Sequence, residues 1–152
     1  MKRLVLAALL LATAACQNTH TRQQTALQFM RVGPVPESDV SGKCGLSLKA
    51  RSRPFPSRDA TVFFQETGET GALIALDGAS HALLQTRATR DTFDGFPSLQ
   101  VFEARDMTAR LSLRPARSDE EKATGTHIGV LMINKTDGWS TTIPVSGTIA
   151  CK

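Results

Sequence analysis

Thr141-Thr142-Ile143-Pro144-Val145-Ser146-Gly147-Thr148-Ile149-Ala150-Cys151, near the end of a chain of 152 residues, is the stretch that decides the fold. Its odd positions, Ile143, Val145, Gly147, Ile149 and Cys151, are apolar or small, while Thr142, Pro144, Ser146 and Thr148 are mostly polar. Successive side chains of an extended chain point to opposite sides, so this alternation predicts a strand with one face against a core. Cys44, Leu46, Leu48 and Ala50 alternate in the same way with Gly45, Ser47, Lys49 and Arg51. Both cysteines then fall on the apolar face of their strands, pointing toward a core. The reading is a Cys44–Cys151 disulfide that ties the first core strand to the last and closes a β structure.

The chain between these strands carries more of the same pattern. Thr61 to Glu66 is rich in β-branched and aromatic residues, as strands are. Asp77-Gly78 between the apolar runs Ala72 to Leu76 and Ala79 to Leu84 predicts a two-residue hairpin turn, because both central residues of such a turn need φ > 0. That turn sets Leu76 opposite Ala79 and Ile74 opposite His81. Thr86 to Pro97, polar and charged, reads as a loop or irregular edge. Leu99 to Ala104 and Met107 to Arg114 form a second strand pair, the latter with Met107, Ala109, Leu111 and Leu113 on one face. Ser118 to Lys122 is the one helical turn or charged loop expected after residue 16. Ile128 to Ile133 is apolar apart from Gly129, which predicts a central strand covered on both faces. The sum is about eight short strands with turn signals between them: an all-β single domain, an antiparallel sandwich or barrel closed by one disulfide.

Composition is that of an ordinary globular chain, 41% hydrophobic and 21% charged, long enough for one domain with a core. The first residues are a targeting segment rather than fold. Lys2 and Arg3 precede the apolar run Leu4 to Ala12, too short to span a bilayer, and small residues follow at Ala14-Ala15. This predicts export. Thr13-Ala14-Ala15-Cys16 resembles the lipobox of bacterial envelope lipoproteins, which implies cleavage after Ala15 and lipidation of Cys16; cleavage by the ordinary signal peptidase at the same small residues is the alternative. Cysteine arithmetic favours the first. With Cys44 and Cys151 paired, Cys16 is the odd cysteine, and an exported chain gains from having that thiol acylated. The expected organisation is a signal peptide over 1–15, a lipidated cysteine with a flexible tether and an edge segment over 16–36, and a β domain over 37–152. Gly33-Pro34-Val35-Pro36 interrupts any regular element before that domain.

Removing Lys2 and Arg3 with the signal leaves 16 basic against 14 acidic residues, no footprint for nucleic acid. Catalytic and metal-binding constellations are not apparent. Ser80 and His81 are adjacent on a strand and so face opposite ways, and no G-x-S-x-G elbow occurs. His20, His81 and His127 are scattered, with no paired C-x-x-C or H-E-x-x-H. Asp119, Glu120 and Glu121 lack calcium-loop spacing, and Asp91 and Asp94 share only proximity. The expectation is a protein that is not an enzyme and carries no cofactor, lipid-anchored in the envelope facing the periplasm, or soluble there, binding another protein or an anionic envelope polymer. An inhibitor of a lysozyme or protease, or a barrel for a small apolar ligand, are the alternatives. Candidate partner-binding residues are Trp139, beside the Asp137-Gly138 turn, Phe55 in its proline-rich loop, and Arg53 and Arg58 in the same basic loop. Trp139 and Phe55 have a second reading, as plugs that fasten their loops to the core.

Overall fold

The computed structural model describes residues 31–51 and 60–152. In chain order its elements are β1 (Val32–Gly33), α1 (Glu37–Val40), β2 (Cys44–Ala50), β3 (Thr61–Glu66), β4 (Gly71–Leu76), β5 (Ala79–Ala88), β6 (Thr92–Phe93), β7 (Phe96–Pro97), β8 (Leu99–Ala104), β9 (Met107–Pro115), α2 (Asp119–Thr124), β10 (His127–Lys135) and β11 (Ser140–Cys151). Eight strands form a closed antiparallel barrel in the order β4-β3-β2-β11-β10-β9-β8-β5, with β5 returning to pair with β4. Of the two all-β arrangements expected, the barrel is the one that forms. Closure joins the eight strands into a ring, and β1 takes the stretch of β4 that β3 leaves unpaired.

The alternation in sequence sets which side chains fill this wall. On β9, Met107, Ala109, Leu111 and Leu113 are buried while Thr108, Arg110 and Ser112 are exposed. The Asp77-Gly78 turn has φ of 50° and 80° and gives the expected register, Leu76 opposite Ala79 and Ile74 opposite His81. An eight-stranded barrel is just wide enough for side chains to fill. Leu46, Leu48, Phe63, Ile74, Phe102, Leu111, Leu131, Ile133, Ile143 and Val145 do so, all at 0% exposure. Each such side chain contributes roughly 1.5–3 kcal/mol of burial. Phe63 and Phe102 meet edge to face across the interior, ring centres 5.5 Å apart. A bulge at Val62, which has no partner between the pairs Leu48–Phe63 and Lys49–Thr61, lets consecutive residues Val62 and Phe63 both join the core.

The closing strand β11 pairs with β10 on one side and β2 on the other. A Cβ on Gly147 would stand 1.8 Å from the Ser47 carbonyl oxygen, so only glycine allows β11 to lie this close to β2. Pro144 is tolerated in a strand paired on both sides because it falls at the end of β2, where its carbonyl accepts from the Arg51 N–H at 2.8 Å. Cys44 and Cys151 are directly opposed across β2 and β11 and form the expected disulfide, Cα atoms 3.9 Å apart.

Four expectations need correcting. Both cysteines share the parity of the core residues, yet both are exposed, because β2 begins and β11 ends beyond the packed interior. The run Ile128 to Ile133 is covered on its inner face only: Leu131 and Ile133 are fully buried, but Val130 is 38% and Met132 40% exposed. Residues 86–97 are not a loop. β5 continues to Ala88, and Asp94-Gly95, with φ of 50° and 85°, turns a small hairpin of β6 and β7. Finally, α1 follows Pro36 as a one-turn helix that the prolines before it conceal in sequence. The edge segment expected ahead of residue 37 is joined to the barrel through Val32, which pairs with Leu76 and lies 4% exposed in the core cluster.

Candidate functional site

At the end of the barrel that carries the disulfide, the plug is a histidine under two phenylalanines. His127 opens β10 with interior parity and is 0% exposed. Phe93 lies over it with ring centres 4.6 Å apart, and Phe96, itself buried in the core, meets it edge on at 6.3 Å. Nδ1 is 3.0 Å from the Thr126 hydroxyl; Nε2 has no hydrogen-bond partner and sits 3.8 Å from the Asp94 carboxylate. Burial is the dominant effect and pushes the imidazole pKa below its ordinary value, against the opposing pull of the Phe93 backbone and the Asp94 charge. The neutral ring is therefore the form the fold favours. Two glutamines complete this end: Gln100 is fully buried and accepts from the Gln85 amide.

The opposite end is closed by Trp139, in the connection between β10 and β11. Its ring is half-buried and packs against the core. The Asp137 carboxylate accepts from the Trp139 N–H at 2.9 Å, and Lys135 bridges Asp106 at 3.1 Å and Asp137 at 3.5 Å. The hydrogen bond to Asp106, followed by the two nearby carboxylate charges, raises the Lys135 pKa. Of its two readings, Trp139 takes that of a plug. Phe55, Arg53, Arg58 and Cys16 lie outside the described residues.

The outer wall has two unlike sides. Over β3 and β4, Val35 and Val40 cover Phe64 and Ala75, with Leu73 packed beside them. Ser80 donates to the Asp39 carboxylate and fastens α1 in place. At the margin of this cover an open groove of about 240 Å³ runs across β3, β4 and β5, its floor made by Phe64, Leu73 and Ala82 and its rim by Lys43, Glu66 and Glu69. On the other side β10 stands four positions from β4 whichever way the barrel is followed. There the outer residues Val130 and Met132 have no such cover among the described residues.

The residues considered for chemistry are dispersed among structural tasks. His81 is half-buried opposite Ile74, and its neighbour Ser80 is engaged by Asp39. Asp91 accepts from Ser98 and Asp94 faces His127, so the two carboxylates serve different partners. Glu121 is paired with Arg114 and accepts from the Arg117 N–H at 2.8 Å. The Arg114 hydrogen bond, then that of Arg117, brings its pKa down to about 2. Ser118 caps the same helix by accepting from the Glu121 N–H. Among the described residues no three His, Cys, Asp or Glu side chains are grouped to hold a metal ion. The plug at His127 was not legible from the sequence, because Asp94 and Phe93 reach it only through the hairpin; the second Asp-Gly, flanked by Phe93 and Phe96, was the available signal.

Comparison with protein-family models, with curated proteins and with solved structures returns no match.

Proposed function

We propose that this chain is a binding module of the bacterial cell envelope, anchored through an acylated Cys16, that acts without catalysis through the outside of its barrel. The observation that carries the reading is the filling of the inside. Ten large aliphatic and aromatic side chains are fully buried there, and His127 with Phe96 at one end and Trp139 at the other close the two mouths. A barrel that holds a small molecule keeps a cavity and an entrance; among the described residues this interior is filled with side chains. An inhibitor would present a protruding anchor, whereas Trp139, one of the two residues considered for that task, is partly buried against the core. Among the described residues, this favours the wall for recognition.

The anchor and the module are tested separately. Intact-mass analysis of the full chain from the membrane fraction is expected to give an acylated product beginning at Cys16; a soluble product beginning elsewhere removes the anchor. Affinity isolation of the full chain from envelope extract is expected to retain one component stoichiometrically. Turnover of an envelope substrate by the purified chain, lost on a single substitution, would overturn the non-catalytic reading.

A further inference from the structure

Strand pairing aligns four residues into one row across four neighbouring strands. Arg87 on β5 is opposite Val101 on β8, Val101 is opposite Arg110 on β9, and Arg110 is opposite Met132 on β10. Val101, Arg110 and Met132 project outward, since Phe102, Ala109, Leu131 and Ile133, their neighbours along the strands, are fully buried inside, and Arg87 shares their face through its pairing with Val101. Arg87 and Arg110 are exposed, and Val130 lies two residues from Met132 on the same face. We propose that this row is a docking surface for a protein that presents two carboxylates flanking an apolar side chain, an inference that rests on the reading of the chain as a binding module.

The argument is one of charge and of what the wall permits. Arg114, further along β9, is engaged by Glu121, and Lys135 by Asp106 and Asp137. Arg87 and Arg110 have no carboxylate partner among the described residues. Glu103, on the same face, accepts from the Thr86 hydroxyl at 3.2 Å. Two guanidiniums with apolar side chains beside and between them complement acidic groups about 10 Å apart, which is two strand spacings, with an apolar residue between. Arginine suits such a site because its planar fork grips a carboxylate with two parallel hydrogen bonds. Along the row β8, β9 and β10 are each paired on both sides, so a partner cannot add a strand to them and side chains must carry the contact. An apolar side chain held between two carboxylates at that spacing is a pattern that a protein surface supplies and a layer of lipid headgroups does not.

The test uses the full chain in cells, with a photoreactive side chain in place of Met132 and, separately, in place of the exposed Glu37 on the covered side. Position 132 is expected to give a protein adduct whose linked peptide carries at least two Asp or Glu residues. That adduct should fall about tenfold in an R87E/R110E background, as loss of matched interfacial charges does, and reappear in part with R87K/R110K. Both variants should keep the wild-type far-ultraviolet circular dichroism and melting temperature, which separates loss of contact from loss of fold. An adduct that persists undiminished in R87E/R110E, a linked peptide without carboxylates, a lipid adduct, or a second copy of this chain at position 132 overturns the proposal. Adducts from position 37 but none from position 132 overturn the row and leave the binding module standing; none from either position counts against both.

Discussion

Phe64 on β3 and Met132 on β10 stand three strands apart, each an apolar side chain pointing out of the wall, yet Phe64 is 2% exposed and Met132 40%. The difference is made by ten residues. Over β3 and β4 the segment from Arg31 to Val40 supplies a second layer, with Val35 and Val40 as its contacts, and gives the outer side chains there a small core of their own. Over β9 and β10 the described residues supply no layer, and the apolar residues alternate with arginines instead of with each other. An outward apolar residue is therefore structural on one side and available on the other. Single exposed aliphatics are common on protein surfaces; a row of them interleaved with unmatched guanidiniums is a more specific arrangement.

Several measurements would break or sharpen this contrast. The largest effect is expected at the seam between the two sides, where Cys44 and Cys151 join β2 to β11 across 107 residues of sequence. Replacing both with alanine should cost roughly 4–5 kcal/mol in urea unfolding, since the cross-link restricts a long loop in the unfolded chain. A loss below about 1 kcal/mol would mean that hydrogen bonding of β11 alone holds the wall closed. Next, Phe64→Ala is expected to cost about 3–4 kcal/mol, the cost of emptying a buried aromatic site; if it costs no more than a surface change, the layer over β3 and β4 is not packed in solution.

Acid should separate the ends of the barrel from its sides. With the His127 pKa lowered by burial, above about pH 6.5 neither folded nor unfolded chain binds a proton there and the full stability is present. As pH falls below that, the unfolded chain takes up a proton that the folded chain refuses, so stability declines toward pH 5. Unfolding midpoints for wild type and His127→Gln across this range give the check: the decline should be absent in the variant, and an equal slope in both would assign it elsewhere. Glu121 acts lower, its contribution lost as pH drops from 4.5 toward about 2. A smaller effect, about 1 kcal/mol, is expected for Ser80→Ala, which removes the hydroxyl that holds Asp39 and with it α1. Smallest is Met132→Ala, within about 0.5 kcal/mol of wild type. A cost comparable to that of Phe64→Ala would show that the second side is covered after all.

How much of this was legible beforehand follows from what periodicity can encode. The strands, the Asp77-Gly78 register and the pairing of Cys44 with Cys151 could be read because each depends on residues adjacent in sequence or on a two-residue rhythm. The exposure of Val130 and Met132 could not be. An uninterrupted apolar run such as Ile128 to Ile133 looks the same whether both faces are buried or one is left open, and only the neighbours in space decide. The exposed cysteines were misread for a related reason: parity gives the direction of a side chain and says nothing about where along the strand the packed interior stops. The hairpin of β6 and β7 was hidden among charged residues, and with it the cap over His127. The geometry of a two-residue turn did place Ile74 against His81, because that register follows from the turn alone.

The wall of this barrel is completed by a segment bonded on both flanks, β11 between β10 and β2. Until those twelve residues are available, β2 and β10 each present a row of unsatisfied amides to their surroundings. In chain order they follow every other described strand, so a ribosome makes them after the rest of the wall. The molecule therefore passes through a stage in which most of its strands exist and none can yet seal the cylinder, and during that interval something other than its own architecture must keep the two raw margins from joining a stranger.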